Sequence, residues 1–223
     1  MLGIISPALR ASLVAWVLCG IAYPLAVTGL GQWLMPFQAN GSLIKRPDGT
    51  ILGSRLIGQQ WSGPEWFHGR PSATTGSDPN DPANIVFAPY NASNSGGSNL
   101  GPTSKSLVER LAADRRALDA SQPELAGRPL PSDMLTASAS GLDPDISPAD
   151  AALQVARIAR ARGISVEKLD ALLKQHIAGR SLGIFGERRA NVLALNLALQ
   201  DTYPKPLSDA RISTSLLRQD QAP

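Results

Sequence analysis

The sequence predicts an α+β protein in which one N-terminal transmembrane helix is followed by a single mixed α/β soluble domain. Three observations indicate this fold class. No charged residue occurs between Arg10 and Lys45, so the beginning of the chain is apolar over a membrane-spanning length. Short apolar stretches bounded by turn residues then indicate strands. Capping residues followed by apolar residues at helical spacing indicate helices in the second half.

The apolar stretch of residues 13–35 is predicted to be a retained membrane-spanning helix. As a helix it would rise about 34 Å, and the hydrocarbon core of a bilayer is roughly 30 Å thick. The competing interpretation is a cleaved signal peptide, whose apolar region is about 7–15 residues long and ends at an A-x-A-like site. This stretch is longer, and no clean A-x-A sequence follows it. We therefore expect a retained helix.

Small residues and a proline interrupt this stretch. Small residues allow helices in lipid to approach closely, and a proline frees a carbonyl group that a neighbouring helix can satisfy. The simpler interpretation is the ordinary tolerance of glycine and proline in spanning helices. The alternative is a helix that packs against partner helices through Gly20, Tyr23, Pro24, Thr28 and Gly29.

The charge and cysteine patterns leave the orientation of the domain open. Only Arg10 and the terminal amine precede the helix, whereas Lys45, Arg46 and Arg55 follow it. This count favours a cytoplasmic domain only weakly, because long domains translocate largely regardless of charge. The single cysteine, Cys19, lies within the span and forms no disulfide within the chain. The predicted regions are a short N-terminal segment (1–12), the transmembrane helix (13–36), the soluble domain (37–201) and a flexible C-terminal tail (202–223).

The soluble domain is predicted to begin with a hairpin and to continue in loops. Residues 41–44 and 51–57 are short apolar stretches separated by Pro47, Asp48 and Gly49, which form a turn signal. Between residues 71 and 102, Gly, Pro, Ser, Asn and Asp predominate. A first helix is expected to follow, with Ser106 and Glu109 as a capping box and with one apolar face formed by Leu107, Leu111 and Leu118.

The strongest helix signal begins at Ser147. This residue is a suitable N-cap, Pro148 suits the first helical position, and Asp150 interacts favourably with the helix dipole. The helix is expected to end near Gly163 and to bury Ala152, Val155, Ile158 and Ala159.

Two further elements are predicted near the C-terminus. Ser165 is expected to cap a helix that ends at Gly179 and carries Leu169, Leu172, Leu173 and Ile177. Leucines then alternate with Ala and Asn between residues 193 and 199. This period of two favours a strand, and the alternative is an Ala- and Leu-rich helix.

Composition disfavours several function classes. The formal charge is only +3 and the basic residues are dispersed, so nucleic-acid binding is not expected. His68 and His176 are the only histidines, and neither has an acidic or cysteine neighbour at ligand spacing, so no metal site is expected. The sequence contains neither a G-x-S-x-G elbow nor a D-K-T-G-T segment, and we expect no catalytic centre.

A glycine-rich segment partly matches a phosphate-binding loop. Gly96 and Gly101 have the interval of that motif, and Thr103 fits its hydroxyl position, but Pro102 stands where the lysine should be. That lysine is needed to reach the phosphates. A turn is therefore the favoured interpretation of this segment.

Nine motifs in a fixed order give the chain a specific resemblance. They include Trp66 to Ser72, in the sequence W-F-H-G-R-P-S, and Ser95 to Pro102, in the sequence S-G-G-S-N-L-G-P. The full set lies at residues 23–25 with 28–29, 40–44, 53–59, 66–72, 90–91, 95–102, 136–144, 191–193 and 195–199. Over roughly residues 10–200 the chain closely resembles the KdpC family, the small C subunits of bacterial high-affinity potassium-transporting Kdp ATPases. Departures are minor, such as Asp145 where many relatives have histidine.

The resemblance implies a non-catalytic accessory subunit of an ATP-driven potassium uptake pump. Its partners would be a channel-like potassium-binding subunit, a P-type ATPase subunit and a small hydrophobic subunit. The family is described as a catalytic chaperone that raises the ATP affinity of the ATPase subunit. The resemblance also implies a single-pass protein of the bacterial inner membrane, with the soluble domain in the periplasm.

No firmly bound cofactor is expected, although ATP can act through the complex. The alternative function is a membrane-anchored nucleotide-binding module. In that case ATP would contact the segment formed by Ser95, Gly96, Gly97, Ser98 and Asn99, together with Gln154. A periplasmic domain could not meet cytoplasmic ATP, so the two implications of the resemblance conflict.

Overall fold

The computed structural model describes residues 2–204. Residues 205–223, most of the predicted tail, lie outside the described part. The described chain is mixed helix and strand and divides into two compact units. The first unit contains residues 2–60, 71–99 and 137–144, and the second contains residues 61–70, 100–136 and 145–204. The predicted α+β fold class, with one N-terminal apolar helix, is confirmed.

The first unit begins with one long helical rod. It consists of α1 (Leu2–Val17), a π-helical stretch (Leu18–Ala22) and α2 (Tyr23–Leu34). Helix therefore begins at Leu2 rather than at residue 13. Residues Gly3–Leu34 are one candidate membrane span by length and composition, and none of this span is buried within the chain. At 32 residues, this candidate span is about 48 Å long and exceeds the hydrocarbon thickness of a bilayer.

The π-helical stretch has a local cause in the sequence. Pro24 has no N–H group to donate, and its ring crowds the carbonyl group one turn earlier. The chain responds with a wider turn, in which the N–H of Tyr23 donates to the carbonyl oxygen of Leu18. Such widened turns are a common way to accommodate a disturbance within a helix.

Two short hairpins and a helical turn complete the first unit. The helical turn α3 (Pro36–Ala39) leads into β1 (Leu43–Lys45), which pairs antiparallel with β2 (Ile51–Ser54). The predicted hairpin is confirmed, although β2 ends at Ser54 instead of residue 57. A second antiparallel hairpin joins β3 (Thr75–Ser77) to β4 (Ile85–Phe87).

The second unit packs helices around a three-stranded antiparallel sheet with the strand order β5-β7-β6. Two single helical turns lie at Pro123–Leu125 and Ser132–Met134. The other elements in chain order are α4 (Lys105–Ser121), β5 (Asp145–Ile146), α5 (Pro148–Arg162), α6 (Val166–Gln175), β6 (Ile177–Ala178), β7 (Arg189–Asn191) and α7 (Val192–Thr202).

The hydrophobic core of the second unit forms where α5, α6 and α7 meet the sheet. Its largest fully buried apolar members are Phe67, Ile146, Ile158, Leu169, Leu173, Leu195 and Leu199. Caps set both ends of α5 and the start of α6 as the sequence indicates. The Ser147 hydroxyl accepts a hydrogen bond from the Asp150 N–H, Gly163 ends α5 with φ +68°, and the Ser165 hydroxyl accepts from the Lys168 N–H.

Three local predictions are wrong. The N-cap position of α4 is Ser104 and carries no side-chain cap hydrogen bond, so Ser106 and Glu109 do not form a capping box. In α5, Val155, Ile158 and Ala159 are buried as predicted, but the buried residue one turn before Val155 is Ala151, and Ala152 is exposed. In α6, the helix ends at Gln175 and Ile177 belongs to β6.

The alternating leucines of residues 193–199 form a helix instead of the favoured strand. Strand β7 ends at Asn191, whose side-chain oxygen accepts a hydrogen bond from the Ala194 N–H and so caps α7. Leu195 and Leu199, four residues apart, are both buried. The helical alternative is therefore correct.

Candidate functional site

The glycine-rich segment, residues 95–99, packs closely against residues 138–141 within the first unit. The Gly96 N–H donates to the Ser140 carbonyl oxygen at 2.8 Å, and the Ser95 hydroxyl donates to the same oxygen at 3.0 Å. A Cβ atom at Gly97 would lie 2.9 Å from the Ala139 carbonyl oxygen. Glycine is required at position 97 by backbone packing within the chain.

Hydroxyl groups connect the surrounding loops of the first unit. The Ser72 hydroxyl donates to the Gly141 carbonyl oxygen at 2.7 Å and accepts from the Tyr90 N–H at 3.0 Å. The buried Thr74 hydroxyl donates to the Ala88 carbonyl oxygen at 2.6 Å and accepts from the Asn91 N–H. These bonds satisfy backbone N–H and C=O groups that have no partner in a β-sheet, and so they hold the loops in place.

This geometry gives the segment a structural role as a turn. A phosphate cradle needs several N–H groups that are free to converge on the anion, and the Gly96 N–H is already engaged. The nucleotide contact through Ser95, Gly96, Gly97, Ser98 and Asn99 stays a prediction.

Gln154 belongs to the second unit and is buried. Its amide nitrogen donates to the His68 carbonyl oxygen at 3.0 Å and to an Asp150 carboxyl oxygen at 2.7 Å. Its amide oxygen accepts from the His68 N–H and from Arg157, both at 2.8 Å. All four hydrogen-bonding positions of this amide are occupied, so its role is to hold the backbone at His68. A nucleotide contact of Gln154 stays a prediction.

Two more side chains hold the backbone that precedes His68. The buried Asn196 amide accepts from the Phe67 N–H and donates to the Phe67 carbonyl oxygen, both at 2.9 Å. Arg157 donates to the carbonyl oxygens of Pro64 at 2.6 Å and Trp66 at 3.0 Å. We call Gln154, Arg157 and Asn196 the backbone clamp. In the sequence, the clamp corresponds to polar residues at positions of α5 and α7 that face the core. An analysis of apolar periodicity does not identify such residues, because it counts only the apolar ones.

Burial shifts the pKa values of the groups around the clamp. Removal from water is the main cause that raises the pKa of Asp150 to about 7, and the nearby Asp133 carboxylate raises it further. Burial likewise lowers the pKa of Arg157 to about 10. Burial and the Arg157 charge lower the pKa of His68 below its ordinary value. Within residues 2–204, no cluster of His, Cys, Asp and Glu could hold a metal ion.

The residues predicted to pack against partner helices lie on the helical rod of the first unit. The Trp16 ring lies 3.6 Å from the position of a Cβ at Gly20, so this glycine faces an aromatic ring of its own chain. At Gly29, no described atom beyond its chain neighbours and the backbone of its own helix lies within 4 Å of that position. Tyr23, Pro24 and Thr28 are exposed. The surface at Gly29 is therefore open to a close approach by another helix, and the packing itself stays a prediction.

The raised pKa of Asp150 predicts a pH dependence of stability. Between about pH 4 and about pH 7 the folded chain keeps a proton that the unfolded chain releases, so the stability contributed by this group falls as the pH rises. Relative to Asp150→Asn, the free energy of unfolding of the wild type should fall by about 2–4 kcal/mol over this range. Denaturant unfolding followed by the fluorescence of Trp61 and Trp66 measures it. The lowered pKa of His68 makes stability rise with pH, but His68 is present in both proteins, so this effect cancels in the comparison. A difference in unfolding free energy between wild type and Asp150→Asn that does not change with pH would contradict the prediction.

The two neighbouring glycines distinguish a structural turn from a phosphate cradle. Gly97→Val should destabilise the first unit by about 1–3 kcal/mol, because the side chain would clash with the Ala139 backbone. Gly96→Val, with open space at its Cβ position, is the matched control and should keep the wild-type melting temperature. Calorimetric titration with ATP should show no saturable micromolar binding to the wild type. If the wild type bound ATP, and if both variants lost this binding while remaining folded, the result would support a phosphate cradle instead.

Comparisons with known proteins identify the family. The family model described as "KdpC: K+-transporting ATPase, c chain" matches residues 5–201. A potassium-transporting ATPase KdpC subunit from Methylobacterium nodulans is 54% identical over 92% of this chain and 100% of its own. The protein of the same name from Methylorubrum extorquens is 55% identical over 90% of this chain and 98% of its own length. The protein of that name from Bradyrhizobium diazoefficiens is 54% identical over 92% of this chain and 100% of its own length. The chain therefore belongs to the KdpC family, the c chains of K+-transporting ATPases.

Proposed function

We propose that this chain is a non-catalytic accessory subunit of an ATP-driven potassium uptake pump. The observation that carries the proposal is the family match over residues 5–201, which includes both the apolar helix and the two units. The perturbed groups of the second unit support a role without chemistry of its own. Asp150 and Arg157 form one buried hydrogen-bonded group with Gln154, in which Arg157 holds the backbone at Trp66 and Gln154 holds the backbone at His68.

The pump would contain a channel-like potassium-binding subunit, a P-type ATPase subunit and a small hydrophobic subunit. The accessory chain would assemble with them in the bacterial inner membrane through its N-terminal helix. The rod of residues Gly3–Leu34 supports this proposal, because its apolar side chains are not covered by the rest of the chain. Such a surface is stable only against lipid or other helices.

The chain would act as a catalytic chaperone that raises the ATP affinity of the ATPase subunit. With the domain in the periplasm, this effect would reach the nucleotide site through the partner subunits and not through direct contact. The engaged Gly96 N–H and the fully bonded Gln154 amide support the indirect route. Direct contact of ATP with Ser95–Asn99 is the alternative.

The anchor proposal is tested by closing the open surface at Gly29. In Gly29→Leu a bulky side chain would block a partner helix, so the recovery of pump subunits with the tagged chain should fall about tenfold. Gly31→Leu is the matched control, because its Cβ position is equally open and two helical residues place it on nearly the opposite face. Recovery is measured by affinity purification from detergent-solubilised membranes.

Equal recovery with wild type, Gly29→Leu and Gly31→Leu would contradict packing at Gly29. Failure of the wild-type chain to recover any pump subunit would contradict the proposed function itself. The two failures are therefore distinguishable in one experiment.

A further inference from the structure

A backbone carbonyl group in the middle of the helical rod has lost its usual hydrogen-bond donor. In an α-helix the Cys19 carbonyl oxygen would accept from the N–H of Tyr23, and in a π-helix it would accept from the N–H of residue 24. The Tyr23 N–H instead donates to the Leu18 carbonyl oxygen, and Pro24 has no N–H group. Among residues 2–204, no side chain donates a hydrogen bond to the Cys19 oxygen either.

This carbonyl group lies at the centre of the candidate membrane span. Cys19 is the seventeenth of the 32 residues from Gly3 to Leu34. The span exceeds the hydrocarbon thickness by about 18 Å, so its centre stays within the hydrocarbon in every position that covers the bilayer. Lipid tails offer no donor there, and an unpaired carbonyl group in that medium is costly. The missing donor therefore has to come from outside this chain.

Small side chains leave room for that donor. Cys19, Gly20 and Ala22 are exposed on the rod, and small residues allow the backbones of two membrane helices to approach closely. The Trp16 ring, one turn earlier, lies 3.6 Å from the Cβ position of Gly20 and borders this stretch. Widened turns of the π type often occur at functional sites. We call the Cys19 carbonyl group and the small residues beside it the carbonyl site.

We propose that the Cys19 carbonyl oxygen accepts a hydrogen bond from a hydroxyl or amide side chain on a neighbouring transmembrane helix of the pump. This inference rests on the proposed function, because that helix belongs to the same complex. The donor is a neutral side chain, since a charged group at the centre of a bilayer is costly and one carbonyl oxygen does not neutralise it. Serine, threonine, asparagine and glutamine are the side chains that commonly form such bonds between membrane helices.

The proposal gives Pro24 a role in binding. A proline inside a helix usually destabilises it, because one backbone hydrogen bond is lost. At the carbonyl site the partner helix supplies the bond that Pro24 removes. Alanine at position 24 would restore the N–H group and allow the Tyr23 N–H to return to the Cys19 oxygen. The donor of the partner helix would then be left without its acceptor, which weakens the attachment.

Infrared spectroscopy of one labelled carbonyl group tests the proposal. Cys19 is the only cysteine of the chain, so cysteine with a heavy carbon isotope at its carbonyl position marks this group alone within the chain. Subtracting the spectrum of an equally labelled Cys19→Ala complex removes the bands of the other subunits. A carbonyl group that accepts a hydrogen bond absorbs at a lower frequency than an unbonded one. We expect the band at a lower frequency in the pump complex than in the isolated full chain in lipid vesicles.

Two proline substitutions provide the matched comparison. Pro24→Ala should lower the carbonyl frequency already in the isolated chain, because the helix then closes on the Cys19 oxygen. The recovery of pump subunits with this tagged variant should fall about threefold, the typical effect of one hydrogen bond between membrane helices. Pro7→Ala changes the other proline of the rod. It also adds an N–H group, but it lies near the end of the span and should leave both measurements unchanged.

Each contrary result has a distinct meaning. A carbonyl frequency that is the same in the isolated wild-type chain and in the complex would overturn the hydrogen bond and leave the proposed function intact. If the band were already at the lower frequency in the isolated chain, the donor would be water or a second copy of the chain. Equal recovery with wild type and Pro24→Ala would also overturn the inference. Failure of the wild-type chain to recover any pump subunit would overturn the proposed function as well.

Discussion

The second unit depends on satisfying the backbone around the buried Trp66 and Phe67, which has no strand beside it. Peptide groups removed from water without partners each cost about 1–3 kcal/mol, so this segment could not stay buried unaided. Asn196 pairs with both peptide groups of Phe67 as a neighbouring strand would, and Gln154 does the same across His68. The clamp thereby allows Phe67 to reach the core between α5 and α7.

The sequence predicts the elements whose signals are local. The caps of α5 and α6 and the first hairpin follow from Ser147, Ser165 and the turn at residues 47–49, because these residues act on their own backbone neighbours. The strand predicted at residues 193–199 fails because the tertiary contacts of α7 outweigh a period-two pattern. The clamp is not predictable from periodicity, since its partners lie 86 to 129 residues apart in the chain.

If the chain raises ATP affinity without touching ATP, as we propose, it has to act on a conformational equilibrium of the pump. It would bind the ATP-competent state more tightly than the other state, and its differential affinity sets the largest possible effect. The molecule suits this role because its N-terminal helix offers an uncovered apolar surface, whereas its buried polar groups are occupied in holding backbone. In that case ATP would strengthen the attachment of the chain to the pump by the same factor, because coupling between two binding sites is reciprocal.

The most direct test of this account is the ATP affinity of the ATPase subunit, measured by equilibrium binding in pump complexes with and without this chain. The account predicts a dissociation constant that is lower by about fivefold or more when the chain is present, as expected for a coupling of typical size. It also predicts that the isolated chain binds no ATP under the same conditions. Equal dissociation constants in the two complexes, or saturable ATP binding by the isolated chain, would contradict it.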